Sequence, residues 1–414
     1  MIDASLQRHP KTVTETFSAA ALSAEFQQEL IAIGDWWIEH AIDREQGGFY
    51  GEIRPDNTPI KNATKGIVLN TRILWFFSEV AAVIDKPAYR DAAVRAYDYL
   101  VDYFFDKELG GVYWELDAQG KPVNTKKQTY AQAFAVYALC SYYTLTGDEQ
   151  AMAHALDCFA LLEEKTIDRV NQGYFEAFTR EWGKMDDVRL SDKDLNYPKS
   201  MNTHLHVLEA YTTLNKAKPT EQIKQALRYN IDCFDKYLIN HDNGHLRMFL
   251  TETWEDFSPG YTYGHDIECS WLLSKALNSL NDPQVTQRMT PGIIKLADIT
   301  LQEAMGEYGE VLDAFDFASG EKLTERVWWV QAEALVGFLN VYTLTRDERY
   351  LTVAKNVWAF IKQYQRDSQH GEWLWLSTLD GDHGEEAYKV GFWKGPYHNG
   401  RAMLEAINFI KKIG

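Results

Sequence analysis

The chain has 414 residues, of which 45% are hydrophobic, 14% are aromatic and 25% are charged. This composition is typical of a folded globular protein and excludes a disordered or collagen-like chain. Acidic residues outnumber basic residues by 60 to 42, and the formal net charge of -18 argues against nucleic acids and anionic membranes as partners.

A short motif of glycine and aromatic residues recurs six times and predicts a repeat architecture. The first copies read GGFYGEIRPDNTPI, GGVYWELDAQGKPV and QGYFEAFTREW, and weaker copies read NGHLRMFLTETWE, YGEVLDAFDFASGEK and HGEWLWLSTLDGD. The glycines that mark the six copies are Gly48, Gly111, Gly173, Gly244, Gly309 and Gly371, so the spacing is 62 to 71 residues. Each copy predicts a short β-hairpin.

Two helical patterns follow each hairpin. The first is strongly apolar and covers residues 71–84, 130–145, 203–214, 267–277, 330–344 and 401–410. The second mixes charged and apolar residues at helical spacing, as in residues 87–106 and 348–367. A helix that is apolar all round is buried, whereas an amphipathic helix faces water. We therefore predict an all-α fold with an inner and an outer ring of six helices, an (α/α)6 barrel with short β-hairpins at its mouth.

The two ends of the chain complete this ring. Residues 23–43, SAEFQQELIAIGDWWIEHAID, supply the first outer helix, and residues 401–414 supply the last inner helix. Since no linker rich in Pro, Gly or Ser divides the chain, we expect residues 1–414 to form a single domain. An open helical solenoid is the alternative, but its repeat number is not fixed at six and its terminal repeats usually differ from the others.

The cysteines and the N-terminal segment indicate the compartment. The four cysteines lie in apolar, helix-like runs without a CxxC pair, and we expect free buried thiols in a reducing compartment: Cys140, Cys158, Cys233 and Cys269. Residues 1–17 lack the apolar run of a signal peptide. The longest uncharged stretch, residues 128–147, carries several polar side chains and suits a helix buried in protein better than a membrane span. We expect a cytoplasmic protein.

Polar and aromatic residues gather where the inner helices begin. Because each inner helix follows a hairpin, we expect all six N-termini to open on the same face. Their first turns carry Asn70 and Arg72; Tyr130 and Gln132; Asn202, His204 and His206; His265, Asp266 and Glu268; Trp328, Trp329, Gln331 and Glu333; and Trp393, His398, Asn399 and Arg401. One such residue would be explained as a helix cap or a satisfied buried group. Six coincidences at equivalent repeat positions predict a binding pocket.

Helix geometry selects among these residues. Asn202 and His206 are four apart and share a face, as do His265 and Glu268 at a spacing of three.

Residues two apart cannot both face the pocket on equal terms. This test applies to His204 and His206, and to Gln331 and Glu333. We expect Glu333 to be the weaker site candidate of its pair.

The motifs that are missing narrow the chemistry. The sequence has no His/Cys cluster at zinc spacing, no HEXXH, no GxGxxG or Walker motif after a strand, and no GxSxG elbow. Histidine suits proton transfer near neutral pH, and two histidines on opposite sides of a substrate suit removal of a proton from one face of a carbon and its return to the other. A nearby arginine would stabilise an enolate oxygen, and tryptophans are platforms for sugar rings.

The residues at this mouth resemble the N-acylglucosamine 2-epimerase family, and most closely its cellobiose 2-epimerase branch. The resemblance covers nearly the whole chain and rests on LNTRILWFFS from Leu69, KQTYAQAFAVYAL from Lys127, MNTHLHVLEAY from Met201, GHDIECSWLL from Gly264, RVWWVQAEALVGF from Arg326 and FWKGPYHNGRA from Phe392. The GHDIE and PYHNGR strings are the most diagnostic. The resemblance implies an (α/α)6 barrel that needs no cofactor or metal, opens a reducing sugar and inverts C2 through a cis-enediolate.

The same resemblance implies roles for individual residues. His265 and His398 would be the acid/base pair, His206 would assist ring opening, and Arg72 would bind the enediolate oxygens. The residues implied to bind or support the sugar are Tyr130, Asn202, Glu268, Trp328, Trp329 and Trp393. The expected partner is a small sugar, a disaccharide or hexose, with neither nucleic acid nor membrane, and the expected state is a monomer or homodimer.

Three other functions remain open at this point. A mannose 2-epimerase or an aldose–ketose isomerase of the same superfamily would share the proton abstraction. An (α/α)6 glycoside hydrolase would need two carboxylates flanking a glycosidic oxygen, for which Asp266, Glu268, Glu310 and Asp313 are candidates. A non-catalytic sugar-binding toroid would leave the histidines without a role.

Overall fold

The computed structural model describes residues 18–381 and 387–413 and contains two concentric rings of helices. The expectation for residues 1–17, that they hold no signal peptide, lies outside the described residues. The outer ring consists of α1 (Ala19–His40), α3 (Pro87–Tyr99), α5 (Glu149–Leu161), α7 (Glu221–Cys233), α9 (Pro283–Glu303) and α11 (Glu348–Phe360). The inner ring consists of α2 (Ile67–Val83), α4 (Thr129–Thr146), α6 (Met201–Ala217), α8 (Tyr263–Leu280), α10 (Trp328–Thr345) and α12 (His398–Ile413). The predicted (α/α)6 barrel is confirmed.

Burial follows the two patterns in the sequence. In α4 every residue from Thr129 to Tyr142 is buried, because neighbouring inner helices and the outer ring enclose it. In α7 the buried side chains recur at helical spacing, as Ile223, Ala226, Leu227, Asn230 and Ile231. Each inner helix packs against the next, and α12 contacts α2, so the ring closes. That residues 1–414 form a single domain stays a prediction.

Inner and outer helices are joined by very short turns at the end of the barrel away from the hairpins. After α4 and α10, Gly147 and Arg346 adopt left-handed conformations with φ of 74° and 59°. The next residue, Asp148 or Asp347, caps the outer helix through its side chain. A left-handed residue ends a helix and an aspartate begins the next one, so two residues suffice for the reversal.

The strands are short and pair across repeats. They are β1 (Lys65–Gly66), β2 (Glu115–Leu116), β3 (Pro122–Asn124), β4 (Lys127–Gln128), β5 (Ala177–Phe178), β6 (Lys199–Ser200), β7 (Phe249–Leu250), β8 (Gly260–Thr262), β9 (Ala314–Asp316) and β10 (Glu321–Leu323). The strand before an inner helix pairs with a strand of the next repeat, as β1 with β2, β4 with β5, β6 with β7 and β8 with β9, all antiparallel. The predicted hairpins therefore also join neighbouring repeats around the mouth.

A buried ion pair fixes the hairpin of several repeats to the inner helix. Lys65 Nζ lies 3.0 Å from Asp43 Oδ2 and donates to the Gly47 carbonyl at 2.7 Å. Equivalent lysine–aspartate pairs join Lys127 to Asp106, Lys199 to Asp168 and Lys389 to Asp367, at 2.7 to 2.9 Å. Each lysine of the first three pairs stands two residues before its inner helix, so this contact sets where the helix begins.

Two further properties accord with the sequence. The four cysteines are buried and form no disulfide. Within residues 18–381 and 387–413, no helix has the length and apolar character needed to cross a bilayer.

Candidate active site

Two positions near the start of each inner helix divide the polar residues into two groups. The fourth residue binds the backbone of the adjacent hairpin in four of the helices: Gln132 accepts from the Val112 N–H, His204 from Tyr174, Asp266 from Leu246 and Gln331 from Val311, at 2.8 to 3.0 Å. These hydrogen bonds fix the hairpins to the first turns of the inner helices. His204 accordingly points away from the pocket, as its spacing from His206 predicts.

The sixth residue of the helix points towards the barrel axis. This position holds Arg72 in α2, His206 in α6, Glu268 in α8 and Glu333 in α10. The expectation that Glu333 is the weaker candidate is wrong. Gln331 is occupied with the hairpin backbone, whereas Glu333 lies 2.6 Å from the ring of His398. The physical reason is the shared register, which sends the fourth residue outwards to a hairpin and the sixth inwards.

A cavity of about 440 Å³ opens at this end of the barrel. All ten residues predicted for the site line it, namely Arg72, Tyr130, Asn202, His206, His265, Glu268, Trp328, Trp329, Trp393 and His398. The sequence analysis did not select Trp375, Tyr388 or residues 190–194, which also line the cavity. Trp375 belongs to the sixth glycine–aromatic motif. The third repeat is longer than the others, with a spacing of 71 residues, because it contains the loop with residues 190–194.

His398 is held by a carboxylate. Its Nδ1 lies 2.6 Å from Glu333 Oε1, while Glu333 Oε2 accepts from Trp271 Nε1 at 2.9 Å. A carboxylate acceptor fixes the proton on Nδ1 and leaves Nε2 as the basic nitrogen. Burial and the nearby guanidinium groups hold the pKa of His398 well below its usual value. His398 therefore rests as a neutral imidazole able to accept a proton.

His265 and His398 both pack beside Trp329. The Trp329 ring centroid is 4.8 Å from that of His265 and 5.6 Å from that of His398. Thr262 Oγ1 lies 2.5 Å from His265 Nδ1. Burial lowers the pKa of His265 to about 3, so this histidine is also neutral in the resting site. The cavity thus presents two neutral imidazoles that contact the same indole ring.

His206 has its own carboxylate partner, which the sequence analysis missed. His206 Nδ1 lies 3.1 Å from Glu209 Oε2, one turn further along α6. Burial raises the pKa of Glu209, but Arg401 and His206 outweigh burial and bring it to about 2. An acidic residue three positions after a histidine on a buried helix was the available signal.

Arg72, on α2, is held by contacts to α4 and to the segment that precedes α12. Its Nη1 donates to the Trp393 carbonyl at 2.6 Å and its Nη2 to Tyr130 Oη at 3.0 Å. The guanidinium also lies over the rings of Phe134 and Tyr397, at 4.9 and 4.7 Å. These contacts fix a positive group on the wall of the cavity, where it can bind developing negative charge.

A buried charge cluster forms the floor below the histidines. Arg401 Nη2 donates to Glu268 Oε1 at 2.5 Å and to Glu333 Oε1 at 2.7 Å. Burial and the neighbouring Glu333 carboxylate raise the pKa of Glu268. Ligand atoms of Glu268, Glu333 and His398 lie within 4.8 Å of one another, a grouping that could coordinate a metal ion. The Arg401 guanidinium already supplies positive charge to both carboxylates, so the group is compensated without one.

Tryptophans form the upper walls. Trp328 is 3% exposed and packs on Trp375 with ring centroids 4.3 Å apart. Among the described residues its Nε1 has no hydrogen-bond partner. Trp393, which lies in the segment before α12, packs beside Phe392 at 5.2 Å. Broad aromatic faces with an unused N–H suit a flat, hydroxylated ligand such as a sugar ring.

The carboxylates that a glycoside hydrolase would need are engaged elsewhere. Asp266 binds His245 at 2.7 Å and the Leu246 N–H, and Glu310 binds Arg326 at 2.9 Å. Of the four candidate carboxylates, only Glu268 lines the cavity. The structure therefore does not bring these four candidates together as a carboxylate pair at the cavity.

The fold and the cavity define an (α/α)6-barrel enzyme class whose site combines histidines, carboxylates and tryptophans. Comparison with known proteins gives the same class. The family model described as N-acylglucosamine 2-epimerase (GlcNAc 2-epimerase) matches residues 48–399. The chain belongs to this family of carbohydrate epimerases.

Individual relatives refine the position of the chain within the family. A cellobiose 2-epimerase of Bacteroides fragilis is 39% identical over 387 residues, covering 93% of this chain and 98% of the relative. An N-acylglucosamine 2-epimerase of Rattus norvegicus is 22% identical, covering 92% and 90%. The solved structure of cellobiose 2-epimerase from Bacillus thermoamylovorans B4167 superposes with a TM-score of 0.88 at 37% identity, covering 94% of this chain and 99% of that chain.

Proposed function

We propose that this chain is a cellobiose 2-epimerase, which inverts C2 of the reducing-end glucose in β-1,4-linked disaccharides and converts cellobiose to glucosylmannose and lactose to epilactose. The observation that carries the proposal is the pair of neutral histidines, His265 and His398, which both pack beside Trp329 and line one cavity. Relatives named cellobiose 2-epimerase, at 35% to 39% identity over most of the chain, support this substrate class.

The first step is opening of the sugar ring. We assign it to His206, whose Nδ1–H is held by Glu209, so that Nε2 can exchange a proton with the ring oxygen or the anomeric hydroxyl. Asn202 lies one turn earlier on the same helix and lines the cavity with its Oδ1 unpartnered among the described residues. It is placed to bind a sugar hydroxyl.

The second step is proton transfer at C2. One histidine takes the C2 proton, the C–H electron pair forms the C1–C2 double bond, and O1 becomes negative. Arg72 stabilises this enediolate, a charge that exists only along the reaction path. The first histidine returns its proton to solvent, and the other histidine takes up a proton from solvent. After rotation about C2–C3 this second histidine, now an imidazolium, delivers its proton to the opposite face of C2, and the aldehyde re-forms. All atoms balance without an oxidant, reductant or cofactor.

The protonation states of the resting site support these roles. Burial keeps His265 and His398 neutral, which is the form a general base requires. The raised pKa of Glu268 allows its carboxyl to carry a proton near neutral pH. Since Glu268 Oε1 accepts from Arg401, its Oε2 is the oxygen available to hydrogen-bond a sugar oxygen, and Tyr130 adds a second polar contact.

The remaining expectations belong to the same proposal. Trp328, Trp329 and Trp393 would hold the sugar rings, and the partner is a small sugar. Four buried free thiols support a reducing compartment, so we place the enzyme in the cytoplasm, as a monomer or homodimer.

The test is one incubation of cellobiose with the enzyme in D2O, analysed by proton NMR and mass spectrometry. We expect glucosylmannose with one deuterium at C2, because a histidine N–H exchanges with solvent. A mannose-type isomerase would instead give a ketose labelled at C1, and a glycosidase would release unlabelled glucose. A glucosylmannose product without deuterium would overturn the two-histidine mechanism.

Substitutions of the two histidines test whether they carry out the reaction that places deuterium at C2. His265→Ala and His398→Ala should each lower turnover roughly 100-fold or more while the far-UV circular dichroism stays unchanged. The matched control is His241→Ala, because His241 is exposed, does not line the cavity and lies beside Asp235. Parallel incubations with mannose and N-acetylglucosamine, the latter expected to give no product, test the sugar preference.

A further inference from the structure

Arg401 joins every carboxylate that orients a histidine of the site. Its guanidinium donates to Glu209 from α6, to Glu268 from α8 and to Glu333 from α10, and also to Tyr397, the residue before α12. Glu209 in turn holds His206, and Glu333 holds His398. Two of the three site histidines, His206 and His398, therefore each contact a carboxylate that is bound by the same guanidinium.

Two aromatic rings pack against the guanidinium. It lies 4.1 Å over the Tyr397 ring and 4.7 Å over the Trp271 ring, and the side chain is 1% exposed. A planar fork of N–H donors can serve several carboxylates at once, whereas an ammonium is a point charge on a flexible stem. The arrangement depends on arginine, and its role differs from that of Arg72 because Arg401 does not line the sugar cavity.

A second cavity, of about 610 Å³, reaches Arg401 from the opposite end of the barrel. Its walls come from the C-terminal halves of inner helices and include Glu209, Trp271, Glu79, Lys216 and Lys275. The Nε of Arg401 has no hydrogen-bond partner among the described residues. One layer of side chains thus separates this basal cavity from the sugar cavity, and Arg401 belongs to that layer.

We propose that Arg401 is the positioning residue of the site. Its guanidinium holds Glu209, Glu268 and Glu333 in the geometry that orients His206 and His398. The basal cavity gives small cations access to the position that this guanidinium occupies. The inference rests on the proposed epimerase function. It explains why three carboxylates from three helices converge in a buried place, since their mutual repulsion is offset by one shared cation.

The decisive experiment is chemical rescue of Arg401→Ala. The truncated side chain leaves a space that opens on the basal cavity, so free guanidinium can enter and bind the same carboxylates. We expect kcat for cellobiose to fall roughly 100-fold, KM to change little, and guanidinium chloride, at concentrations that leave the wild type folded, to restore kcat at least about tenfold. Sodium and tetramethylammonium chloride, which lack N–H donors, should not restore it.

The pH profile supplies an independent readout. His398 faces Arg72 from α2, His206 and Glu209 from α6, Glu333 from α10 and Arg401 on its own helix. Because the positive charge of Arg401 helps to lower the pKa of His398, its removal should raise that pKa. The acid limb of kcat/KM should then move to higher pH in Arg401→Ala and return when guanidinium is added. Arg401→Lys, which keeps the charge but loses the fork, should retain the wild-type limb with a lowered kcat.

The control is Lys275→Ala, which removes another cation of the basal cavity, paired with Glu405 at 2.5 Å. It should leave kcat and the pH profile unchanged. Should Arg401→Ala fail to fold, the folded Arg401→Lys variant decides, and a wild-type kcat in it overturns the proposal. A folded Arg401→Ala that ignores guanidinium and keeps the wild-type pH limb also overturns it. Failure of the proposed function itself would be distinct, since the wild type would then not epimerise cellobiose.

Discussion

At the scale of single residues, the site works through carboxylates that fix which histidine nitrogen carries the proton. Glu333 does this for His398 and Glu209 for His206. His265 differs, because a threonine hydroxyl rather than a carboxylate meets its Nδ1. The two histidines beside Trp329 are therefore not equivalent, and the one with the carboxylate is the stronger base.

This asymmetry predicts a large effect of Glu333→Gln. The amide keeps the size of the side chain but loses the negative charge that stabilises an imidazolium at His398. We expect kcat to fall roughly 100-fold to 10,000-fold, as when the orienting acid of a histidine base is neutralised. KM for cellobiose should change far less, and steady-state kinetics with circular dichroism as the folding check would measure both.

The matched control for Glu333→Gln is Glu325→Gln, an exposed carboxylate eight residues earlier near the same mouth. It should leave kcat within about twofold, as expected for a surface substitution. A Glu333→Gln enzyme with wild-type kcat would remove Glu333 from the proposed mechanism.

Residue-level reasoning from the sequence succeeded where a motif or a spacing of three or four applied, as for His265 with Glu268. It failed for Glu333. The spacing of two shows that Gln331 and Glu333 face in different directions, but it does not show which of them faces inwards. Comparison between repeats contained the answer, since Gln132 and His204 occupy the same register as Gln331. Arg401 was visible in the first turn of α12, but its three carboxylate partners lie on three other helices and are brought together only by the closed ring.

At the scale of elements, the mouth depends on the lysine that stands two residues before three of the inner helices, Lys65, Lys127 and Lys199. Lys65 and Asp43 are each 1% exposed, and Lys127 and Asp106 form the equivalent pair in the next repeat. Asp106 has a second cation, Arg180, at 2.8 Å. Among the described residues no second cation pairs with the Asp43 carboxylate, and Arg95 donates to the Asp43 backbone carbonyl instead. The two pairs therefore differ in what remains at the carboxylate when the lysine is removed.

We therefore expect Lys65→Met to destabilise the fold more than Lys127→Met. Removing one partner of a buried ion pair leaves an uncompensated charge and costs about 3 kcal/mol, while Arg180 would still neutralise Asp106 in the second variant. Melting temperatures at one scan rate would show the order. The control Lys61→Met breaks an exposed pair with Glu45 and should shift the melting temperature little. Equal losses for Lys65→Met and Lys127→Met would contradict this explanation.

Elements were predictable because periodicity and burial agree here. The apolar pattern gave the bounds of the six inner helices within a few residues, as in 330–344 against Trp328–Thr345. Strand pairing was not predictable, because strands of two or three residues carry too little pattern and pair with the next repeat as well as within a hairpin. Their register follows from the ring, a long-range property.

At the scale of the whole molecule, the ring is closed by contacts between its first and last turns. Trp37 Nε1 donates to Glu372 Oε1 at 3.0 Å, and Trp373 Nε1 donates to Glu29 Oε1 at 2.8 Å. These bonds join residues more than 330 positions apart in the sequence. Because opening one repeat would expose its neighbours, a local buried titration is expected to affect the stability of the entire barrel.

His204 provides such a titration, and it predicts how stability depends on acid. Its Nδ1 lies 2.7 Å from the Ser200 carbonyl and its Nε2 accepts from the Tyr174 N–H at 3.0 Å, so the neutral ring is fully satisfied and a protonated ring is not. Burial lowers its pKa from 6.5 to about 4. Between these values the unfolded chain binds the proton and the folded chain does not, so stability is lost as the pH falls below 6.5, to a total of about 3 kcal/mol by pH 4.

Equivalent positions in two other repeats hold glutamine, so His204→Gln should keep the hairpin contact, remain near wild-type stability at pH 7, and lose less stability than the wild type on acidification. Melting temperatures of both proteins across this pH range measure the difference, and parallel curves would show that His204 is not the group responsible.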